Sequence, residues 1–254
     1  MNEKTVEKII KLNQESYENI AKEFSITRSY IWPDLKKLAT NVRDGQKILD
    51  VGCGNGRLFE ELNNKDIEYF GTDSCKKLID IARNRYKSFA PKAQFGVFNI
   101  CDMPFGEKQF DVIFTIAVLN HLPSKELRIR ALQKINKLLS PGGLLLMTNW
   151  NLWQLTIKKK SLFYYTLKKW RTSDKAWKEK YGLSKKEFGL KDIMTEWKTD
   201  KKINPLYYYA FSLKELKSLV KEAGFEILDS YYSKKGQKVN RFKGGNIVIV
   251  ARKI

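Results

Sequence analysis

Lys47-Ile48-Leu49-Asp50-Val51-Gly52-Cys53-Gly54-Asn55-Gly56 decides the fold. A short apolar strand runs into glycines at alternate positions, and the spacing predicts that Arg57–Leu62 opens a helix directly behind them. Such a turn lets a ligand approach the backbone closely and meet the N–H groups at a helix start. Working outward, Ile67–Thr72 (IEYFGT) reads as a second strand, Cys75–Tyr86 as a helix and Gln94–Phe98 as a third strand. Phe110–Val118 is β-rich and, apart from Asp111 and Thr115, apolar, as a central parallel strand covered on both faces should be. Ser124 N-caps a helix to Leu139, Ser140-Pro141-Gly142-Gly143 stops it, and Leu144–Trp150 is a fifth strand. Strand and helix alternate, so the fold class is α/β with a mostly parallel sheet.

Val6–Phe24 and Pro33–Ala39 read as helices of an N-terminal cap, 1–44, before a core at 45–150. Thr156–Lys202 has helical composition with mixed periodicity. We read 151–205 as a basic, aromatic-rich insertion of two or three helices. In 206–254, Ser212 caps a last helix ending at Gly224, and Phe225–Tyr232 and Asn246–Ala251 form an antiparallel hairpin across Ser233–Gly245.

The chain has 254 residues, 43% apolar and 13% aromatic, enough for one large domain with a core. No apolar run approaches the roughly 20 residues of a membrane helix; Val112–Leu119 is the densest stretch. Met1–Ile10 shows no secretory pattern, and Cys53, Cys75 and Cys101 lack metal-ligand spacing, so a reducing cytoplasm and no metal are expected. The net charge of +20 points to a polyanionic partner. It is localised: 151–202 carries +9 and 230–254 carries +7.

Two acids accompany the glycine loop. Asp73 ends strand two, 17 residues after Gly56, where a carboxylate takes both hydroxyls of a ribose. Asp102 follows strand three, where it accepts an adenine amino group. The GxGxG spacing with these acids resembles the S-adenosylmethionine-dependent methyltransferases with a seven-stranded Rossmann-like sheet. That resemblance implies strand order 3-2-1-4-5-7-6 with the last strand antiparallel. It assigns Gly52, Gly54 and Gly56 to the cofactor's amino-acid portion, Asp73 to ribose and Asp102 to adenine, with Asp50 orienting the loop and Ala117 beside the cofactor after strand four.

Tyr17-Glu18-Asn19-Ile20-Ala21, Phe24-Ser25-Ile26-Thr27-Arg28 with Trp32-Pro33, and Leu119-Asn120-His121-Leu122 narrow this further. With Tyr207-Tyr208-Tyr209-Ala210-Phe211 they resemble the tRNA methyltransferases that esterify 5-carboxymethyluridine at the wobble position. The chain departs from that family at Asn120, where the first of two histidines is usual, at Leu206 in an Arg-Tyr-Tyr-His stretch, and at Asn246-Ile247. The resemblance implies tRNA as substrate and, from eukaryotic members, a small zinc-binding activator subunit. Two rivals remain open: a methyltransferase of a small acidic metabolite, with the insertion as a lid, and a non-catalytic RNA-binding protein on the same scaffold.

Methyl transfer to a carboxylate needs no general base, which suits a sequence with one histidine. His121 then positions substrate or serves structure; Arg28 holds a carboxylate or phosphate, or forms a plain salt bridge; Tyr17 closes over the cofactor or sits in the core. Trp32 reads as packing. Lys158, Lys159, Lys160, Lys168, Lys169 and Arg171 in the insertion, with Lys234, Lys235, Lys238 and Arg241 in the tail, are the candidate RNA contacts. For the interleaved aromatics, core packing competes with base stacking.

Overall fold

A computed structural model of the chain describes residues 1–154, 161–200 and 202–254. In chain order the elements are α1 (Glu3–Ile26), α2 (Pro33–Ala39), β1 (Gln46–Val51), α3 (Phe59–Leu62), β2 (Ile67–Asp73), α4 (Lys76–Arg85), β3 (Ala93–Val97) and β4 (Phe110–Ile116). There follow α5 (Lys125–Leu138), β5 (Leu139–Trp150), α6 (Leu162–Arg171), α7 (Asp174–Tyr181), β6 (Asp192–Lys198), β7 (Ile203–Tyr209), α8 (Leu213–Glu222), β8 (Phe225–Lys234), β9 (Gln237–Val239) and β10 (Asn246–Lys253). The main sheet has the order β3-β2-β1-β4-β5-β10-β8-β9. Strands β1 to β5 pair in parallel, and β10 runs antiparallel to both β5 and β8. The expected arrangement with an antiparallel last strand is therefore present, extended by the short edge strand β9.

Alternation along the strands builds two cores. Leu49, Ile113, Leu145, Met147, Ile247 and Ile249 face α5 and α8 on one side. Ile48, Val112, Phe114, Leu146 and Val248 face α2, α3 and α4 on the other. Local chemistry sets the helix starts. Ser124 Oγ accepts from Leu127 N–H at 3.2 Å, Pro33 occupies the first turn of α2, and Ser212 with Glu215 forms a capping box on α8.

Three expectations change. The insertion holds two helices, α6 and α7, and then a strand hairpin, β6–β7, rather than a third helix. Pairing overrides the lysine-rich composition here: Thr195 and Trp197 favour an extended chain, and Tyr207-Tyr208-Tyr209 supplies the partner strand. This hairpin crosses the 205/206 boundary drawn from sequence. Finally, β5 begins at Leu139, and the Pro141-Gly142-Gly143 stop lies within a register shift between Phe110 and Val112.

The N-terminal segment is fastened across the molecule. Asn13 Oδ1 accepts from Tyr207 N–H at 2.7 Å, and Ser16 Oγ donates to the Pro205 carbonyl at 2.6 Å, so α1 lies on β7. Asp34 of α2, buried, accepts from the Ser233 hydroxyl, Gly236 N–H (3.1 Å) and the Asn246 side-chain amide (2.7 Å). The departure at Asn246 is thus an anchor for the cap.

Candidate active site

A large cavity opens at the carboxyl ends of β1, β2 and β4, where open α/β sheets place their ligands. It encloses about 1460 Å³ of atom-free space, open solvent at its mouth included. The glycine loop forms its floor. Gly52 has φ +71°, and a side chain there would strike Val118. Gly54 has φ +57° and donates its N–H to Asp73 Oδ2 at 2.9 Å. Asp73 Oδ1 accepts from Cys75 N–H, also at 2.9 Å, so one carboxylate ties the loop to the start of α4. Burial raises the Asp73 pKa, while these two N–H groups oppose the rise. Ala117 lines the cavity after β4 with a left-handed φ of +59°.

Two buried polar atoms beside this floor have no hydrogen-bond partner among the described residues, Asp50 Oδ1 and Arg57 Nη1, although the two side chains attract each other electrostatically. Burial pushes the Asp50 carboxyl up to about 7, with its other oxygen accepting from the Tyr69 hydroxyl at 2.7 Å. Burial also lowers Arg57, to about 10; its guanidinium lies 4.3 Å from the Trp32 ring centre. An unsatisfied carboxylate and an unsatisfied guanidinium in one cavity call for a ligand with both an ammonium and a carboxylate. The methionine portion of S-adenosylmethionine has both, so the residues present fit that cofactor.

Not every expected residue reaches the wall. Gly56 lies behind the loop, donating to the Cys53 carbonyl at 3.0 Å. Asp102 projects outward with a 70% exposed side chain, 3.4 Å from Arg130; Asn99 and Ile100 of the same segment face the cavity instead.

The opposite wall is aromatic. His121 Nδ1 stands 3.1 Å from the Tyr207 carbonyl, so that nitrogen carries the proton and Nε2 accepts from the Tyr17 hydroxyl at 3.1 Å. Burial holds the imidazole neutral, lowering its pKa to about 4. Tyr17 also contacts the Tyr208 hydroxyl at 3.5 Å and packs edge-on against Phe24. Burial raises the Tyr17 phenol well above its ordinary range. Arg28 lies with its guanidinium carbon 4.9 Å from the Phe24 ring centre and 5.7 Å from that of Trp197. Its hydrogen bond is to neighbouring Thr27, and among the described residues no carboxylate pairs with it. The salt-bridge alternative for Arg28 is therefore not what the structure holds.

Arg57, Tyr208, Trp150 and Trp197 are cavity residues that sequence reasoning missed. Arg57 had a signal, since it begins the segment that follows the glycine loop. Tyr208 and Trp197 owe their places to the β6–β7 pairing. Asn120, in place of an expected histidine, is buried: it donates to the Tyr209 carbonyl and accepts from Trp150 N–H, both at 3.0 Å.

The candidate RNA contacts divide. Lys169 is buried, with Nζ on the Phe188 and Gly189 carbonyls, and Lys168 pairs with Glu196 at 2.7 Å. Both are therefore occupied inside the insertion. Trp177, Tyr181 and Phe188 form a satellite core there. Lys238 pairs with Asp229 at 2.9 Å, and Arg241 lies 4.0 Å from the Trp153 ring centre. Arg171, Lys234 and Lys235 are exposed, and Lys158, Lys159 and Lys160 fall outside the described residues.

Sheet order and the glycine-floored cavity are those of a Rossmann-like protein that binds a nucleoside cofactor. Residues 25–230 match the methyltransferase domain family, and the chain belongs to that family of S-adenosylmethionine-dependent methyltransferases. It is 38% identical over 160 residues to the tRNA (carboxymethyluridine(34)-5-O)-methyltransferase alkbh8 of Xenopus tropicalis, covering 62% of this chain and 23% of that protein. It is 28% identical to the Schizosaccharomyces pombe tRNA (carboxymethyluridine(34)-5-O)-methyltransferase, covering 86% of this chain and 90% of the other. The chain spans less than a third of the length of several curated relatives that it matches. Among solved structures, the methyltransferase complexed with the Haloferax volcanii Trm112 methyltransferase activator superposes with a TM-score of 0.62 at 15% identity, covering 93% of this chain and 96% of the other. No helix among the described residues is long and apolar enough to cross a membrane.

Proposed function

We propose that the chain transfers a methyl group from S-adenosylmethionine to the carboxylate of a carboxymethylated wobble uridine in tRNA. The observation that carries this reading is Arg28: a guanidinium on the cavity wall, beside the Phe24 and Trp197 rings, with no carboxylate paired to it among the described residues. An edge-on guanidinium takes a carboxylate through two parallel N–H bonds. The likeness to the frog and fission-yeast enzymes supports the choice of acceptor.

In this reading Gly52 and Gly54 shape the floor, Asp50 takes the cofactor's ammonium and Asp73 its ribose, Asn99 and Ile100 border the adenine in place of the outward-facing Asp102, and Ala117 borders the methyl donor. Arg57 joins them as the partner of the cofactor's carboxylate. Bound there, the cofactor would supply an electrophilic sulfonium methyl to the acceptor oxygen and be left as a neutral thioether. Arg28 orients the acceptor carboxylate, and no proton moves. His121 Nε2 is already committed to the Tyr17 hydroxyl, so the pair positions Tyr17 over the reacting centre and excludes water rather than abstracting a proton. Arg171, Lys234, Lys235, Lys238 and Arg241 grip the RNA backbone. We also infer a small activator subunit, by likeness to the Haloferax volcanii complex, and a cytoplasmic setting, which three cysteines free of disulfides support.

Two predictions follow from this chemistry. A synthetic anticodon stem-loop carrying 5-carboxymethyluridine is methylated, whereas the same loop carrying uridine and small free carboxylic acids are not. Turnover of the free acids with no turnover of the loop would favour the small-metabolite rival. A neutral His121 with a pKa near 4 also means that His121 adds no ionisation to kcat between about pH 6 and 8. A tenfold fall in kcat from pH 7.5 to 6 that disappears in His121→Gln would contradict this.

A further inference from the structure

Hairpin β6–β7 presents two different faces. On one, Glu196 receives Lys168 Nζ at 2.7 Å, Lys180 Nζ at 2.8 Å and the Tyr181 hydroxyl at 2.8 Å. Burial alone would raise this carboxyl, but the three donors outweigh it and hold it down at about 2. The insertion's lysines thus clamp the hairpin onto α6 and α7. The two-residue period of a strand turns the next side chain the other way. Trp197 accordingly enters the cavity, with its ring centre 6.1 Å from that of Phe24 and Arg28 against both.

We propose that Trp197 is a positioning residue for the acceptor: it holds the Arg28 guanidinium against the cavity wall and so makes the site selective for a carboxylate. This rests on reading Arg28 as the carboxylate's partner. A guanidinium held beside two aromatic rings, with one N–H on the Thr27 hydroxyl, keeps its remaining N–H groups for a ligand and loses little further freedom on binding. Without the indole, Arg28 is held only by the Phe24 ring and the bond to Thr27, and can swing toward solvent or any nearby anion. The insertion is then part of the acceptor site, and its internal salt bridges serve that placement.

The test uses the full chain with saturating S-adenosylhomocysteine and calorimetric binding of two nucleosides, 5-carboxymethyluridine and 5-carbamoylmethyluridine. The wild type is expected to prefer the carboxylate by about tenfold or more. Trp197→Leu should bring that ratio near one and raise the stem-loop KM about tenfold, with kcat within about threefold and cofactor affinity unchanged. Trp197→Phe should recover most of the preference. Should Trp197→Leu not fold, Phe24→Leu removes the other ring from the same guanidinium and must lower the same ratio. An unchanged ratio in these variants, or no preference in the wild type, overturns the proposal. A wild type that prefers the carboxylate yet methylates no stem-loop removes the functional reading and leaves the role of Trp197 standing. A wild type that methylates the loop with a ratio indifferent to Trp197 does the reverse.

Discussion

Asp73→Ala raises the cofactor dissociation constant by roughly 100-fold, about 2.7 kcal/mol, as calorimetry with S-adenosylhomocysteine would show. The carboxylate accepts from Gly54 and Cys75 N–H at 2.9 Å each. Removing it leaves two amides without their acceptor and frees a loop that holds Gly54 in a left-handed conformation. Hydrogen bonds to a charged group contribute about 1.5–3 kcal/mol each, so loss of the loop's geometry and of the ribose contact together supports the larger figure. Asp73→Asn keeps one acceptor oxygen and should fall between. A change below about threefold in Asp73→Ala, under 0.7 kcal/mol, would mean that the loop forms without its anchor and that the ribose lies elsewhere.

Arg28→Lys lowers kcat/KM for the carboxymethyluridine stem-loop by about 100-fold while leaving cofactor affinity within about threefold. Lysine keeps the charge but offers no planar fork to the carboxylate and no flat face to Phe24 and Trp197. The comparison therefore separates geometry from charge. A lysine variant with near wild-type kcat/KM would show that Arg28 supplies only positive potential, as a phosphate contact on the RNA backbone would. A matching loss of cofactor affinity would place Arg28 on the other ligand.

Much of the scaffold was legible because its signals are local. The glycine turn after Lys47–Val51, the N-caps at Ser124 and Ser212, and Asp73 at the end of β2 each follow from a few adjacent residues. Tyr17, Arg28 and His121 do meet in one cavity, though they come from separate elements. What escaped depends on pairing across the chain. Trp197 faces the cavity because it pairs with Asn204 in β6–β7, and lysine-rich composition concealed that strand. Charge was also legible without its destination. Lys168 and Lys169 contribute to the basic insertion, yet one is paired with Glu196 and the other is buried on two backbone carbonyls. Only a folded partner distinguishes a lysine that grips RNA from one that closes a core. Asp102 shows the same limit in reverse, since its place after β3 suits a nucleotide contact while its side chain points outward.

The central claim is the acceptor, and nucleoside mass spectrometry tests it most directly. Total tRNA from cells that carry carboxymethylated wobble uridine is incubated with the full chain and methyl-labelled S-adenosylmethionine, with the proposed activator subunit added in a parallel reaction, and then digested. We predict label in the methyl ester of 5-carboxymethyluridine, sensitive to mild alkaline hydrolysis and absent in Arg28→Ala. Label confined to another nucleoside, or none in either reaction, would contradict the account.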